Sequence, residues 1–266
     1  MKAAYIFLAT LAAGSGLAQD ARELSDGIAF GVQGSFNFGP IDGFFQTPAG
    51  GRPGTSSAQR PKLDELGIND VTFYDTRLTM QWRDLLVYGG YEFIRLSGSD
   101  TLSQPLISHG VSFAGGERVS TDDQLDWGRF GAGWSFGFLD DRLKVTPKAE
   151  LALLNFGYHV AGASQSADRS YIKGCVRVGI EGIYYLNSRI SLNLDGSASL
   201  PLSNTPQIAT VTATASVLLF ESHGIKPHAF AGVGMQWIDY EDNQTLANHI
   251  KANIGPFLTA GVLVSF

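Results

Sequence analysis

The chain has 266 residues and a formal net charge of −6, a balance that offers nucleic acid no basic surface. Its single cysteine, Cys175, excludes an intramolecular disulfide and reads as a small buried filler. Mean hydropathy lies near zero. No stretch of the chain reaches the roughly 18 continuous apolar residues of a transmembrane helix, so if it sits in a membrane it has to cross with strands.

The amino terminus carries Lys2, an apolar run from Ala3 to Ala13, and the small-x-small triplet Gly16-Leu17-Ala18 before Gln19. That is the build of a secretory signal peptide over residues 1–18. It leaves residues 19–266 as one exported domain.

From there the apolar residues recur with a period of two. Ile28 to Gly39 sets Ile28, Phe30, Val32, Phe36 and Phe38 against Gln33, Ser35 and Asn37. Pro40 to Gly67, rich in Gly, Pro, Ser and Thr, is too long for a tight turn and reads as an external loop. Asp70 to Arg83 opposes Tyr74, Leu78, Met80 and Trp82 to Asp75, Arg77 and Gln81. A reversal at Asp84 leads into Leu85 to Leu96, where Leu85, Val87, Tyr91 and Phe93 oppose Glu92 and Arg95 falls on the apolar side. Arg95 there marks either a position above the lipid or a bulge. Ser97 to Asp123 reads as a second long polar loop, ending in Asp122-Asp123.

Gln124 to Phe138 alternates Phe130, Ala132, Trp134, Phe136 and Phe138 with Arg129, Gly131, Gly133 and Ser135, and Asp140-Asp141 turns the chain back. Leu143 to His159 carries Leu143, Val145, Ala149, Leu151 and Leu153 opposite Lys144, Lys148 and Glu150, with a slip of parity predicted near Asn155. Tyr171 to Leu186 places Ile172, Val176, Val178, Ile180 and Tyr184 opposite Lys173, Arg177 and Glu181. Arg189 to Leu200 and Gln207 to Glu221 alternate in the same way, their second faces dominated by Ser, Thr, Gly and Asn as is that of the last strand, and Ile225 to Ile238 sets Ala229, Ala231, Val233, Met235 and Trp237 opposite His228, Gly232, Gly234 and Gln236.

The last strand, Asn253 to Phe266, presents Leu258, Ala260, Val262, Val264 and Phe266 on one unbroken apolar face. This ending resembles the closing strand of Gram-negative outer-membrane β-barrels, and the resemblance implies that Phe266 and the alternate apolar residues before it are the signal read by the barrel-assembly machinery. The architecture expected is all-β, a transmembrane antiparallel up-and-down barrel of about ten strands, with eight the alternative count. Short turns at Asp84, Asp140, Asn187 and His223 alternate with longer loops, and aromatics such as Phe36, Tyr74 and Trp237, or Trp82, Trp134 and Phe220, fall at the two predicted girdles. A soluble barrel packs its apolar faces inward, whereas here the second faces read as too charged to form a core.

Inward charges concentrate on the second to sixth strands: Asp75, Arg77, Glu92, Arg129, Lys144, Lys148, Glu150, Lys173, Arg177 and Glu181. Opposite signs on one wall can pair, and charges removed from water demand pairing, so the lumen reads as largely plugged. The function expected is a small integral barrel with a structural, adhesive or surface-binding role. A narrow porin-like diffusion channel is the alternative, and an outer-membrane enzyme, a rim protease or a lipid-modifying hydrolase, the second alternative.

No catalytic, cofactor-binding or metal-binding residue is expected. The enzyme reading would need His109, His159 or His249 beside Asp122, Asp123, Asp239 or Asp242 at the rim, and the His-x-Ser pattern of lipid A deacylase barrels is absent, since His228 precedes Ala229 and Phe230. The same acidic residues, with Glu241, carry the hard oxygen atoms that divalent cations take, without an ordered ligand spacing. Expected partners are outer-membrane lipid and lipopolysaccharide, and the assembly machinery during insertion. The expected state is a monomer in the Gram-negative outer membrane.

Overall fold

The computed structural model describes residues 27–47 and 59–266; the predicted signal peptide at 1–18 lies outside them. The strands are β1 (Ile28–Gln46), β2 (Asp70–Trp82), β3 (Leu85–Thr101), β4 (Leu106–Ser108), β5 (Val111–Phe113), β6 (Arg118–Trp134), β7 (Phe136–Phe138), β8 (Leu143–Ala161), β9 (Ser166–Tyr185), β10 (Ile190–Ser199), β11 (Gln207–Leu218), β12 (Lys226–Glu241) and β13 (His249–Ser265). Among the described residues the one helical element is a single 3-10 turn, Asp64–Leu66.

The paired strands form a closed antiparallel barrel of ten staves, each bonded to its neighbours in sequence. The seam lies between first and last strands, with Val32 opposite Val264 and Phe38 opposite Leu258. On the far side β6 pairs with β8, and β7 continues the β6 stave after a break at Ser135, whose N–H donates to the Asp84 carbonyl at 2.8 Å. The hairpin β4–β5 forms its own two-stranded sheet and packs on the barrel through Leu106 and Phe113, with Ser108 Oγ donating to Tyr158 Oη at 3.1 Å. At the end that holds Gly27 and Phe266 the turns are tight, with left-handed backbone at Arg83 (φ 52°), at Asp140 and Asp141 (φ 52° and 62°) and at His223 (φ 51°). Asn187 caps its own turn, its Oδ1 accepting from the N–H groups of Arg189 and Ile190.

Strands run further outward than their alternation suggested. β3 continues to Thr101 and β6 starts at Arg118, so the loop read as Ser97 to Asp123 shrinks and Asp122 and Asp123 lie within a strand. β1 likewise extends to Gln46, and β12 and β13 reach Glu241 and His249.

The physical reason is an inversion of both faces partway up the barrel. In β8 the outward residues pass from Leu151 and Leu153 to Asn155, Gly157 and His159, while the inward ones pass from Thr146, Lys148 and Glu150 to Leu154, Phe156, Tyr158 and Val160. β8 pairs with β9 in one unbroken register from Leu143–Tyr184 to Ala161–Ser166. The parity slip expected near Asn155 is therefore no slip: the strand keeps its period while its surroundings exchange. β3 does the same, Glu92 giving way inside to Ile94 and Leu96, and Phe93 outside to Arg95 and Ser97. No bulge displaces Arg95, which stands outward opposite Gln124.

Below the inversion the exterior is an apolar belt, with Phe36, Tyr74, Leu78, Phe130, Trp134, Leu151, Ile172, Leu194 and Leu258 exposed. Such a surface is stable only in contact with hydrocarbon. Above it the barrel is built like a soluble one. Ile94, Leu96, Leu125, Trp127, Leu154, Phe156, Ile208, Ile238, Ile250 and Ile254 pack inside it, and Leu63, Leu66 and Ile68 from the returning first loop close the top. Leu63 donates its N–H to the Gly43 carbonyl at 3.0 Å, and Phe45 donates to Pro61 at 3.2 Å, holding that lid on β1. The expectation that the inner faces are too charged to form a core holds only for the membrane-embedded half.

Neighbouring leucines in β8 test the inversion. Leu154 is fully buried in the outer core while Leu153 is 58% exposed on the belt. Leu154→Ala is expected to destabilise the barrel by about 2–5 kcal/mol, and Leu153→Ala far less, in denaturant unfolding of detergent-solubilised protein. Equal shifts would place both side chains in one environment.

Candidate functional site: the charged lumen and the outer rim

The inward charges meet across the bore beneath the apolar core. Arg129 Nη2 donates to both oxygens of Asp75 at 2.7 and 2.9 Å, and its Nη1 reaches Glu92 at 3.4 Å. Glu92 also accepts from Trp127 Nε1 at 2.9 Å. Arg177, 1% exposed, pairs with Glu150 and donates to Thr210 Oγ1 at 2.7 Å and to the carbonyls of Ile208 and Ser197. Glu150 takes a further bond from Tyr88 Oη at 2.7 Å. Arg77 bridges Glu181 at 3.2 Å and Asp195 at 3.6 Å, and Lys148 Nζ sits 2.6 Å from Asp195.

Two aromatic rings serve as spacers between like charges. The Trp127 ring lies 5.0 Å from the Arg129 guanidinium and 4.6 Å from that of Arg177, and the Tyr88 ring lies 4.5 Å from Arg77. Electron-rich faces between cations offset part of their repulsion. Four cations, Arg77, Arg129, Lys148 and Arg177, stand against five carboxylates, Asp75, Glu92, Glu150, Glu181 and Asp195, all in contact with an opposite charge. Burial makes such pairing obligatory, since a lone charge here would be stranded in low dielectric.

Eight of the ten predicted lumen residues join this network. Lys173 stands higher, its Nζ 5.5 Å from the Tyr240 ring, and Lys144 lies near the turn end; neither reaches a carboxylate among the described residues. Asp195 belongs to the network although its strand read as a Ser and Asn wall. The signal was present, as the one acid among the alternate residues Ser191, Asn193, Asp195 and Ser197. Tyr88 and Trp127 had no comparable signal, because an aromatic facing a polar lumen looks like any core residue until its partner is known. Phe266 exchanges backbone hydrogen bonds with Phe30 at 2.9 and 3.0 Å, completing the seam.

At the outer rim the carboxylates divide between opposite sides. Asp122 faces outward and exposed, whereas Asp123 turns inward and accepts from Thr121 Oγ1 at 2.8 Å and from the His159 N–H at 3.1 Å. Asp168 pairs with His159 Nδ1 at 2.5 Å. On the other wall His249 lies 3.0 Å from Asp239 and 3.8 Å from Glu241, and Asp242 is tied up by Asn248. Among the described residues no three or more His, Cys, Asp or Glu side chains are placed to share a metal ion. His109 sits in the β4–β5 turn, its N–H donating to the Thr47 carbonyl at 2.8 Å.

The Arg177–Glu150 contact gives a stability test. Arg177→Leu leaves Glu150 buried without its cation and is expected to cost about 3–5 kcal/mol. Adding Glu150→Leu should recover much of that loss in denaturant unfolding, and additive losses would contradict the pairing.

No protein-family model matches the chain, and no curated protein matches it. Among solved structures, Neisserial surface protein A aligns over 91% of this chain and 100% of its own at 14% identity and a TM-score of 0.39. Ail, the attachment invasion locus protein of Yersinia pestis, covers 91% and 100% at 9% identity and a TM-score of 0.38. The outer membrane protease OmpT from Escherichia coli covers 89% and 97% at 10% identity and a TM-score of 0.41. Independently of these likenesses, the closed antiparallel barrel, its apolar exterior belt and its tight turns at the end holding Gly27 and Phe266 are the architecture of a membrane-spanning up-and-down β-barrel.

Proposed function

We propose that the protein is a monomeric structural, adhesive or surface-binding barrel of the outer membrane with a plugged lumen. The observation that carries this reading is the two-part closure of the bore. A cross-bore network pairs four cations with five carboxylates, and a side-chain core sealed by Leu63, Leu66 and Ile68 lies above it. An ion path needs a continuous wet lining or an excess of one charge sign, and neither fits this packing. The outer surface and loops are then the working parts, with membrane lipid and lipopolysaccharide around them.

Planar-bilayer recording tests the plug. The parent is expected to show no steady conductance, and Arg177→Ala or Glu181→Ala to leak or flicker; a stable open parent channel would overturn the reading.

Insertion through the barrel-assembly machinery rests on Phe266. Replacing Phe266 with Asp is expected to lower assembled protein several-fold, and the same change at Ser265 much less, when folded barrel is counted by its heat-modifiable mobility. Equal yields would remove the role given to Phe266.

The His159–Asp168 pair supports a second reading, a rim hydrolase, because a carboxylate on Nδ1 leaves Nε2 as a base. Among the described residues no hydroxyl is hydrogen-bonded to the ring of that histidine, the Thr121 hydroxyl reaching only its backbone carbonyl at 2.9 Å, which favours the non-enzymatic reading. Purified barrel incubated with basic peptides or lipopolysaccharide is expected to leave both intact. Cleavage abolished by His159→Ala would establish the second reading instead.

A further inference from the structure

Directly above the belt, the outward face of β3, β6, β8 and β9 is polar over two successive cross-strand levels, and in the level below them Asp126 and Asn155 interrupt the apolar edge. Nearest the belt, Asp126 stands opposite Asn155, and Asn155 opposite Ile172. The next level runs Arg95, Gln124, Gly157, Ser170, and the outermost holds Ser97 opposite Asp122 and His159 opposite Asp168. Arg95, Gln124, Gly157 and Ser170, with Asp122, His159 and Asp168 beyond them, line a hollow of about 360 Å³ on the outside of the barrel wall. Gly157 keeps its floor low between Gln124 and Ser170, while exposed Phe93, Leu153 and Ile172 form the lip on the lipid side.

Its charges are ordered along the membrane normal. Asp126, 2% exposed, accepts from the Ile94 N–H at 2.9 Å, Gln124 Nε2 at 2.9 Å and Tyr91 Oη at 3.3 Å, and holds Arg95 Nη2 at 2.8 Å. That carboxylate is saturated and serves as an anchor. Arg95 keeps 54% of its side chain exposed, so its remaining donors face outward. Two residues further out, about 7 Å along the strands, Asp122 is exposed and pairs with no cation among the described residues, and Asp168 is held by His159.

From this order we infer that the hollow is a lateral binding site for a zwitterionic lipid headgroup, its phosphodiester on Arg95 and its primary ammonium on Asp122. Cation at the membrane edge and carboxylate outside complement a headgroup whose phosphate lies next to the acyl chains and whose amine points to water. A purely anionic headgroup would meet Asp122 and Asp168 with repulsion. The chains then lie over Leu153 and the belt. A phosphoethanolamine group carries this chemistry whether it belongs to phosphatidylethanolamine or decorates a glycolipid. The inference rests on the membrane placement of the barrel but not on the closed lumen.

Native mass spectrometry of the purified barrel in detergent, titrated separately with phosphatidylethanolamine, phosphatidylcholine and phosphatidylglycerol, reads the site. Phosphatidylethanolamine is expected to be retained about tenfold more than the other two. Asp122→Asn should abolish the preference over phosphatidylglycerol, and Arg95→Gln should lower retention of all three. Arg95→Gln strands Asp126 and can fail to fold, whereas Asp122 is exposed and its variant keeps the test decisive. Parallel titration with lipopolysaccharide bearing or lacking phosphoethanolamine separates the two sources. No preference among the lipids, or a preference unchanged in Asp122→Asn, overturns the inference. A conducting parent that keeps the preference would instead overturn the plug and leave this site standing.

Discussion

The constraint on which the structure depends is the change of medium along each strand. Ten staves pass from hydrocarbon into water, β3 and β8 without a break in register, and a β-strand has only two faces to answer with. In the belt Phe130, Leu151 and Leu258 face out and Arg129, Glu150 and Arg177 face in. Beyond it Asn155 and His159 face out and Phe156 and Tyr158 face in. Each arrangement is stable only in its own surroundings, so the level of exchange fixes how deep the barrel sits.

The two interiors close the bore by different means. The charged half depends on pairing, because removing one partner exposes the other to the full penalty of burial. Glu150 illustrates the density of the solution, taking both Arg177 and Tyr88. The apolar half depends on shape, with edge-on rings such as Phe45 against Phe156 at 5.5 Å and Phe73 against Phe257 at 5.1 Å. Trp127 joins the halves, its ring in the core and its Nε1–H on Glu92.

The belt was legible from the chain because alternation there coincides with a sharp contrast of residue type, as in Ile190 to Leu200. The turns were legible as well, since Asp140-Asp141 and Asn187-Ser188 are residues that accept left-handed backbone or cap it. What was not legible follows from the inversion. Where Asn155 replaces Leu153 outside and Leu154 and Phe156 replace Glu150 inside, an unbroken strand mimics a slip, and where both faces turn mixed, as around Ser97 and Asp123, it mimics a loop. Asp195 was hidden for a different reason: its partners Arg77 and Lys148 come from β2 and β8, and only closure brings those walls together.

The seam between β1 and β13 therefore does more than complete a ring of hydrogen bonds. Ile41 and Phe45 on one side of it and Ile250, Ile254 and Phe257 on the other all belong to the same outer core. Before the edges meet, these side chains line an open trough with water against them; once they meet, the trough is dry. The final pairing thus works as a latch, in which zipping the backbone and expelling water from the outer half are one event, and a barrel parted at its seam would have to wet that core before it could open further.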